Sequence, residues 1–257
     1  MAKNFREISN QVRWEFLDLI EKGFKYHLGG TASCIDLMIV LFYGGFINLS
    51  KNNRSIFLLS KGHALGAFYS ILINQKLVSK KKLIELKDKG ELGGQLDIFK
   101  LPKFIDTNTG SLGHAIGVGI GHALSNKKKK IWIIIGDAEI DEGSIWEALF
   151  YISEKKIKNL VIIIDRNKIS ASVKITKKEI FDSKFLEKLN FELSYINGHN
   201  HNEIKRCYDK VSKIRKSSII IANTTKGKGL GIAENNLKYS HQSLPPKEIL
   251  KIKKIYE

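Results

Sequence analysis

Cysteine, proline and long apolar runs are scarce in this sequence, and each shortage excludes something. Two cysteines, Cys34 and Cys207, are too few and too far apart to define a disulfide framework or a thiolate metal site, so the cytoplasm is the expected location. Three prolines, Pro102, Pro245 and Pro246, and the want of any Ser/Gly-rich stretch leave nothing that reads as an interdomain linker. Met1 is followed by a polar stretch with no uninterrupted apolar segment behind it, which predicts neither a signal peptide nor a membrane span. Acidic residues are also in deficit, 26 against 43 basic ones, giving a formal net charge of +17. A nucleic-acid-binding protein would use such an excess to neutralise phosphates. The lysines are spread over nearly every segment, however, with tight runs only at 80–82 and 127–130. The second run lies between a glycine-rich helix and an apolar strand, where a solvated connection is the simpler reading.

What is present fits one folded unit. At 257 residues, with 43% hydrophobic and 27% charged side chains, the chain is long enough and apolar enough to build a sizeable core. Phe5, Ile8, Val12, Phe16 and Leu19 recur at helical spacing, and Gly23 follows as a stop. Short β-branched runs at 56–59, 131–135, 160–164 and 219–222 read as strands buried on both faces, as in a parallel sheet. A helix over 144–155, striped by Ile145, Leu149 and Ile152, joins the second strand to the third, and another over 203–216 precedes the last. The reading is a single α/β domain over 1–257, with 226–257 as a tail packing over it.

Chemistry concentrates where two strands end. The strand at 131–135 runs into Gly136, Asp137, Ala138 and Glu139, and the next ends in Asp165, Arg166 and Asn167. Ligands of parallel α/β sheets sit beyond the carboxyl ends of strands, so Asp137 and Asn167 stand where a ligand is expected. A hard divalent cation takes oxygen ligands of this kind and completes its shell with phosphate oxygens. Asp137 alone reads equally as a helix N-cap. The Asn167 terminus, aimed at the same crevice, favours the cation.

GDAEIDEGSIWEAL at 136–149 followed by NLVIIIDRNKIS at 159–170 resembles the thiamine diphosphate motif of transketolases. LSKGHALGAFYSIL at 59–72, TGSLGHAIGVGIGHAL at 109–124 and NTTKGKGLGIAENN at 223–236 resemble further segments of that family in collinear order, covering almost the whole chain. The resemblance implies a three-layer thiamine diphosphate-binding fold, its mostly parallel central sheet flanked by helices. It implies thiamine diphosphate as cofactor, with Mg²⁺ (or Ca²⁺ or Mn²⁺) held by Asp137, Asn167 and the Ile169 carbonyl. Cofactor contacts are implied for His63, Gly110, Ser111, Leu112, Gly136, Ala138, Glu139, Asn167 and His241, and catalytic roles for His27, His63 and His241. His27 and Gln95 are the implied sugar contacts.

The implied activity transfers a two-carbon glycolaldehyde unit from a ketose (phosphate) to an aldose (phosphate). Four positions depart from the family pattern: Leu28 stands for a Pro, Gln95 for a His, Ala138 for a Gly, and Ser240 for a His that His241 follows one place later. The pyrimidine-binding and C-terminal domains of a full transketolase are not in this chain. The resemblance therefore implies a separate C-terminal subunit in an α2β2 assembly, with Glu142 facing it. Other readings remain: a component of a 2-oxo acid dehydrogenase or deoxyxylulose-phosphate synthase, or a non-catalytic partner-binding homologue.

Overall fold

Strands whose side chains are all apolar need cover on both faces, and the computed structural model supplies it. The structure describes residues 4–51, 54–170, 173–175, 185–240 and 242–257. Among them, β1 (Ile56–Leu59), β2 (Ile131–Gly136), β3 (Leu160–Arg166), β4 (Glu192–Asn197) and β5 (Ser218–Asn223) form one sheet in the order β1-β2-β3-β5-β4, each neighbouring pair parallel. Helices flank it: α1 (Phe5–Glu21), α2 (Leu28–Ser33), α3 (Ile35–Tyr43), α4 (Leu65–Asn74), α5 (Lys80–Asp88), α6 (His114–Ser125), α7 (Gly143–Glu154), α8 (Phe185–Lys188), α9 (His201–Lys213) and α10 (Pro246–Lys253).

Period-two geometry divides each strand between two cores. Trp132 and Ile134 of β2 and Val161 and Ile163 of β3 join the cluster built by α1, α3, α4 and α9, where Phe16, Leu37, Phe68 and Tyr208 are fully buried. Ile131, Ile133 and Ile135, with Leu160, Ile162 and Ile164, face α6 and α7 through Ile116, Ile145 and Leu149. Burying one such side chain is worth about 1.5–3 kcal/mol, and a polar residue in these runs would lose it. Gly119 lets α6 close on the sheet, since a Cβ there would come within 2.5 Å of Ile133.

Local signals set the ends. Asn4 caps α1 by accepting from the Glu7 amide at 3.3 Å, and Gly23 leaves it in the left-handed region at φ 81. Asn200 caps α9, accepting from the amides of Asn202 and Glu203 at 3.2 Å each, so this helix starts two residues before the expected 203. β4 was not expected from the sequence. It is an edge strand whose residues are mostly half-buried or exposed, so it lacks the continuous apolar signature. Residues after 226 fold back: Gly227 N–H donates to the Gly29 carbonyl at 3.0 Å, and Lys253 of α10 bonds Asp18 of α1 at 3.0 Å. No helix among the described residues is long and apolar enough to cross a membrane.

Candidate functional site

Strands β2 and β3 run in register, with Gly136 opposite Asp165, so their C-terminal ends deliver residues 137 and 167 at nearly the same height. The Asp137 carboxylate is 2% exposed; Oδ1 accepts from the Ala138 amide at 2.8 Å and Oδ2 from the Lys168 amide at 2.6 Å. Lys168 lies between Asn167 and Ile169, so Asp137 is fastened to the turn carrying the other two implied ligands. The Asn167 side chain is buried; its Oδ1 accepts from the Ile169 amide at 3.2 Å. The Ile169 carbonyl accepts from Lys226 Nζ at 3.1 Å, and Ser170 O accepts from the same ammonium at 2.7 Å. Burial pushes the Asp137 carboxyl up to about 6, and the nearby Asp165 charge adds to the shift. This corner therefore pairs a carboxylate whose charge is held at a cost with a carbonyl already accepting from a cation.

Beneath it lies a buried ion network that the motifs alone do not single out. Asp165, fully buried, accepts from Lys61 Nζ, Ser33 Oγ and Thr224 Oγ1. Burial works against both charges, yet the Lys61–Asp165 attraction holds the carboxyl below its usual range and the ammonium above its own. Lys226 has no comparable carboxylate contact; burial and the Lys61 charge lower it to about 8. Each of these lysines lies within a glycine-containing motif, SKGHA or TTKGKG, and a charged residue among small and apolar ones was the available signal.

The segment carrying Lys226 is held from behind. Thr225 N–H donates to His199 Nε2 at 2.8 Å, which makes His199 Nδ1 the protonated nitrogen, donating to Asp36 at 2.8 Å. Asp36 also accepts from Arg13, Ser9 and His201. Burial raises its carboxyl, but Arg13 and the two histidines outweigh that and keep it well below the ordinary range.

Glycine-rich loops close the other side. A Cβ on Gly62 would come within 2.5 Å of Gln95 Oε1 and 2.6 Å of Thr109 Oγ1, and one on Gly110 within 2.8 Å of Gln95 Cγ. Gln95 thus lies against both loops. His63 sits in the 3₁₀ turn Gly62–Ala64, packed on Gly30, and its ring centroid is 5.3 Å from that of the exposed His27. Burial, then Lys61, His27 and Lys226, lower His63 to about 3, so its imidazole is neutral at pH 7. Ser111 and Leu112 lie at the start of α6, where both contact His114 Nδ1 at 3.1 Å. The Glu139 carboxylate is taken up by the protein itself: it accepts from Ser60 Oγ, from Gly113 N at 2.8 Å and from Gly136 N at 3.0 Å, pinning three loops together. Glu142 is exposed beside Gly113 at the start of α7. Ser240 is buried, and His241 lies outside the described residues.

A thiamine diphosphate and its metal fit this arrangement. Thr31, Thr109 and Ser240 are hydroxyls with buried oxygens that have no hydrogen-bond partner in the described structure, and the segments carrying Thr31 and Ser240 pack together. Among the described residues there is no group of three or more His, Cys, Asp and Glu that could hold a metal. The available set is instead one carboxylate, one amide oxygen and one carbonyl, which suits a hard ion that also binds phosphate.

Comparisons with known proteins point the same way. The family described as transketolase, thiamine diphosphate binding domain, matches residues 5–257. One of the two subunits of the apulose-4-phosphate transketolase of Phocaeicola vulgatus is 29% identical over 246 residues, covering 91% of this chain and 86% of that protein. The 6-deoxy-6-sulfo-D-fructose transketolase subunit SqwG of a Clostridium species is 29% identical, covering 92% and 90%. Human transketolase is 27% identical, and the match spans 93% of this chain but only 40% of that protein. The crystal structure of Campylobacter jejuni transketolase superposes with a TM-score of 0.85 at 28% identity, over 99% of this chain and 43% of the other. The chain belongs to the transketolase thiamine diphosphate-binding domain family.

Proposed function

We propose that this chain is the cofactor-diphosphate subunit of a two-component transketolase. It transfers a two-carbon glycolaldehyde unit from a ketose (phosphate) to an aldose (phosphate), and is active only with a C-terminal subunit carrying the pyrimidine-binding domain. One observation carries the reading: the buried Asp137 carboxylate, raised to about 6, is fastened to the turn that bears Asn167 and the Ile169 carbonyl. A divalent ion, Mg²⁺ or in its place Ca²⁺ or Mn²⁺, would be held by these three oxygens. Lys226 on the Ile169 carbonyl already marks that oxygen as an acceptor for positive charge.

When bound, thiamine diphosphate supplies the carbanion chemistry, and the protein supplies orientation and electrostatics. Lys61 and Lys226 make the crevice positive beneath a diphosphate. His63, neutral at pH 7, orients that group by hydrogen bonding and adds no charge. Gly110, Ser111 and Leu112 line the ring system, Gly136 and Ala138 offer backbone to the diphosphate, and Glu139 keeps those loops in place. His27, exposed next to His63, moves a proton at the sugar's carbonyl or hydroxyl oxygen, with His241 assisting from the late loop. Gln95 hydrogen-bonds donor hydroxyls but exchanges no proton near pH 7.

The similarity to two proteins named as subunits supports the split arrangement, an α2β2 assembly in the cytoplasm with Glu142 at the contact. The names of those relatives, for apulose-4-phosphate and a sulfofructose, make a specialised ketose the substrate to try first.

Calorimetric titration of thiamine diphosphate into the chain mixed with a C-terminal transketolase subunit tests the reading. Binding that needs Mg²⁺, disappears with EDTA and weakens at least about 100-fold in Asp137→Ala is expected. A reconstituted pair that binds the cofactor without transferring a ketol unit would make the chain a scaffold, and a pair that never binds it sinks the proposal.

A further inference from the structure

The same strands have a second charged end. Strands β2, β3 and β5 are neighbours in the sheet, and the turns that lead into them meet at its N-terminal edge. They enclose a concavity of about 740 Å³ lined by the lysines at 127–130 and by Lys155, Lys156, Lys158, Lys213 and Arg215. Among the described residues, no Asp or Glu lines it. Among those residues too, Lys155 is the one lining cation with a carboxylate within ion-pair distance, Glu154 at 2.7 Å. With neighbouring strands about 4.8 Å apart, the three turns span roughly 10 Å. That much uncompensated charge repels itself and favours a multivalent anion.

The frame beneath these lysines is built rather than loose. Asn159 Nδ2 donates to the carbonyls of Ala123, Asn126 and Lys129 at 3.2, 3.1 and 2.9 Å, which locks the first turn to the second. Ser217 Oγ donates to Ile157 O at 2.8 Å and accepts from Leu160 N at 3.2 Å, which locks the second to the third. Lys130 Nζ donates to Ile214 O at 2.8 Å, and its partial burial lowers its pKa. The floor is aliphatic, from Leu124, Ile157 and Ile214.

The lining decides the ligand class. Among the described residues no aromatic side chain lines it to stack a base, so phosphates are what this surface can recognise. The volume lies within the roughly 300–1,000 Å³ of small-ligand sites and is poorly matched to an extended duplex. We propose that this concavity binds a short linear oligophosphate, free or as the tail of a nucleotide. The site is separate from the cofactor crevice at the opposite ends of the strands, and the inference stands independently of the cofactor reading.

Calorimetric titration of the full chain at low salt with sodium tripolyphosphate, ATP and orthophosphate tests it, with a 20-base-pair duplex as a fourth arm. Tripolyphosphate is expected to bind at least about tenfold tighter than orthophosphate, since each added phosphate meets further lysines. Equal affinity for ATP assigns the free phosphate chain as the source, and tighter ATP binding assigns a nucleotide. The triple variant Lys128→Glu, Lys156→Glu, Arg215→Glu should lose at least about tenfold with its thermal midpoint retained. The milder Lys128→Gln, Lys156→Gln, which removes charge without reversing it, should lose about threefold if the triple variant does not fold. Asp137→Ala, at the other end, should leave tripolyphosphate affinity unchanged. Three results would overturn the proposal: affinity equal to that for orthophosphate, binding insensitive to charge reversal, or a duplex that binds tighter than tripolyphosphate.

Discussion

The two ends of this one parallel sheet treat lysine in opposite ways. At the C-terminal ends Lys61 is 1% exposed and is bonded to Asp165, while Lys226 lies over two carbonyls. At the N-terminal ends the lysines at 127–130 and their neighbours face solvent around a concavity and, Lys155 apart, have no carboxylate close by among the described residues. The residue type is the same, and the difference lies in whether acceptors converge on it from several strands. A buried cation remains charged only where such acceptors exist. Charge at one end is thus part of the framework, and at the other it is available to an outside anion.

Removing the central acceptor breaks that contrast most severely. Asp165→Ala strips Lys61, Ser33 and Thr224 of their shared partner and leaves an uncompensated ammonium in the interior. A loss of about 3–5 kcal/mol in urea unfolding is expected. Combining Asp165→Ala with Lys61→Met should recover part of it, because the second change removes the stranded charge. Additive losses would mean that the two residues do not act as a pair.

The backbone at the C-terminal end is equally intolerant. Gly113 caps α6 at φ 82, and a Cβ there would collide with Ser144 Oγ and come within 2.8 Å of Glu142 Cβ. Its amide also donates to Glu139. Gly113→Ala should cost about 2–4 kcal/mol, combining the left-handed backbone with overpacking. Gly121→Ala, where a Cβ would meet nothing within 4 Å on the same helix, is the control and should be neutral or slightly stabilising.

What the sequence revealed follows this division. The strands β1, β2, β3 and β5 were legible because burial on both faces leaves an unbroken apolar run, whereas the edge strand β4, with its mixture of Glu192, Ser194 and Tyr195, left no such trace. The juxtaposition of Asp137 with the 167–169 turn was legible as two strand ends beside each other. The use of Asp165 was not, although it stands two residues before Asn167, because its three partners come from positions 33, 61 and 224. Nor did the sequence show that Glu139 is consumed by Ser60, Gly113 and Gly136, since hydrogen bonds between distant loops have no periodic signature. The lysine run at 127–130 read as a solvated connection. Strand order, invisible in one dimension, is what joins it to the turns before β3 and β5.

Protonation offers a gentler way to sharpen the comparison. The folded-state pKa of His63, about 3, lies below the unfolded value near 6.5, so the unfolded chain binds more protons between those limits. Stability from this group is therefore fully present above about pH 6.5 and is lost as pH falls through that window. From pH 7 to pH 5 the wild type should lose roughly 1–2 kcal/mol more than His63→Gln, measured by urea unfolding at each pH. Parallel losses would show that the imidazole charges readily in the fold, contrary to its burial beside Lys61.

The smallest effects belong to the N-terminal end, and their smallness is the point. Lys128→Ala removes an ammonium that faces solvent within a dense cationic patch, so its loss takes away repulsion and no hydrogen bond. Unfolding free energy should change by less than about 0.5 kcal/mol, with any change towards stability and fading as salt is raised. Lys130→Ala, whose ammonium donates to Ile214 O, should instead cost about 1 kcal/mol. If Lys128→Ala proved the more damaging of the two, the patch would be holding the turns together, and the contrast between a framework end and an open end would fail.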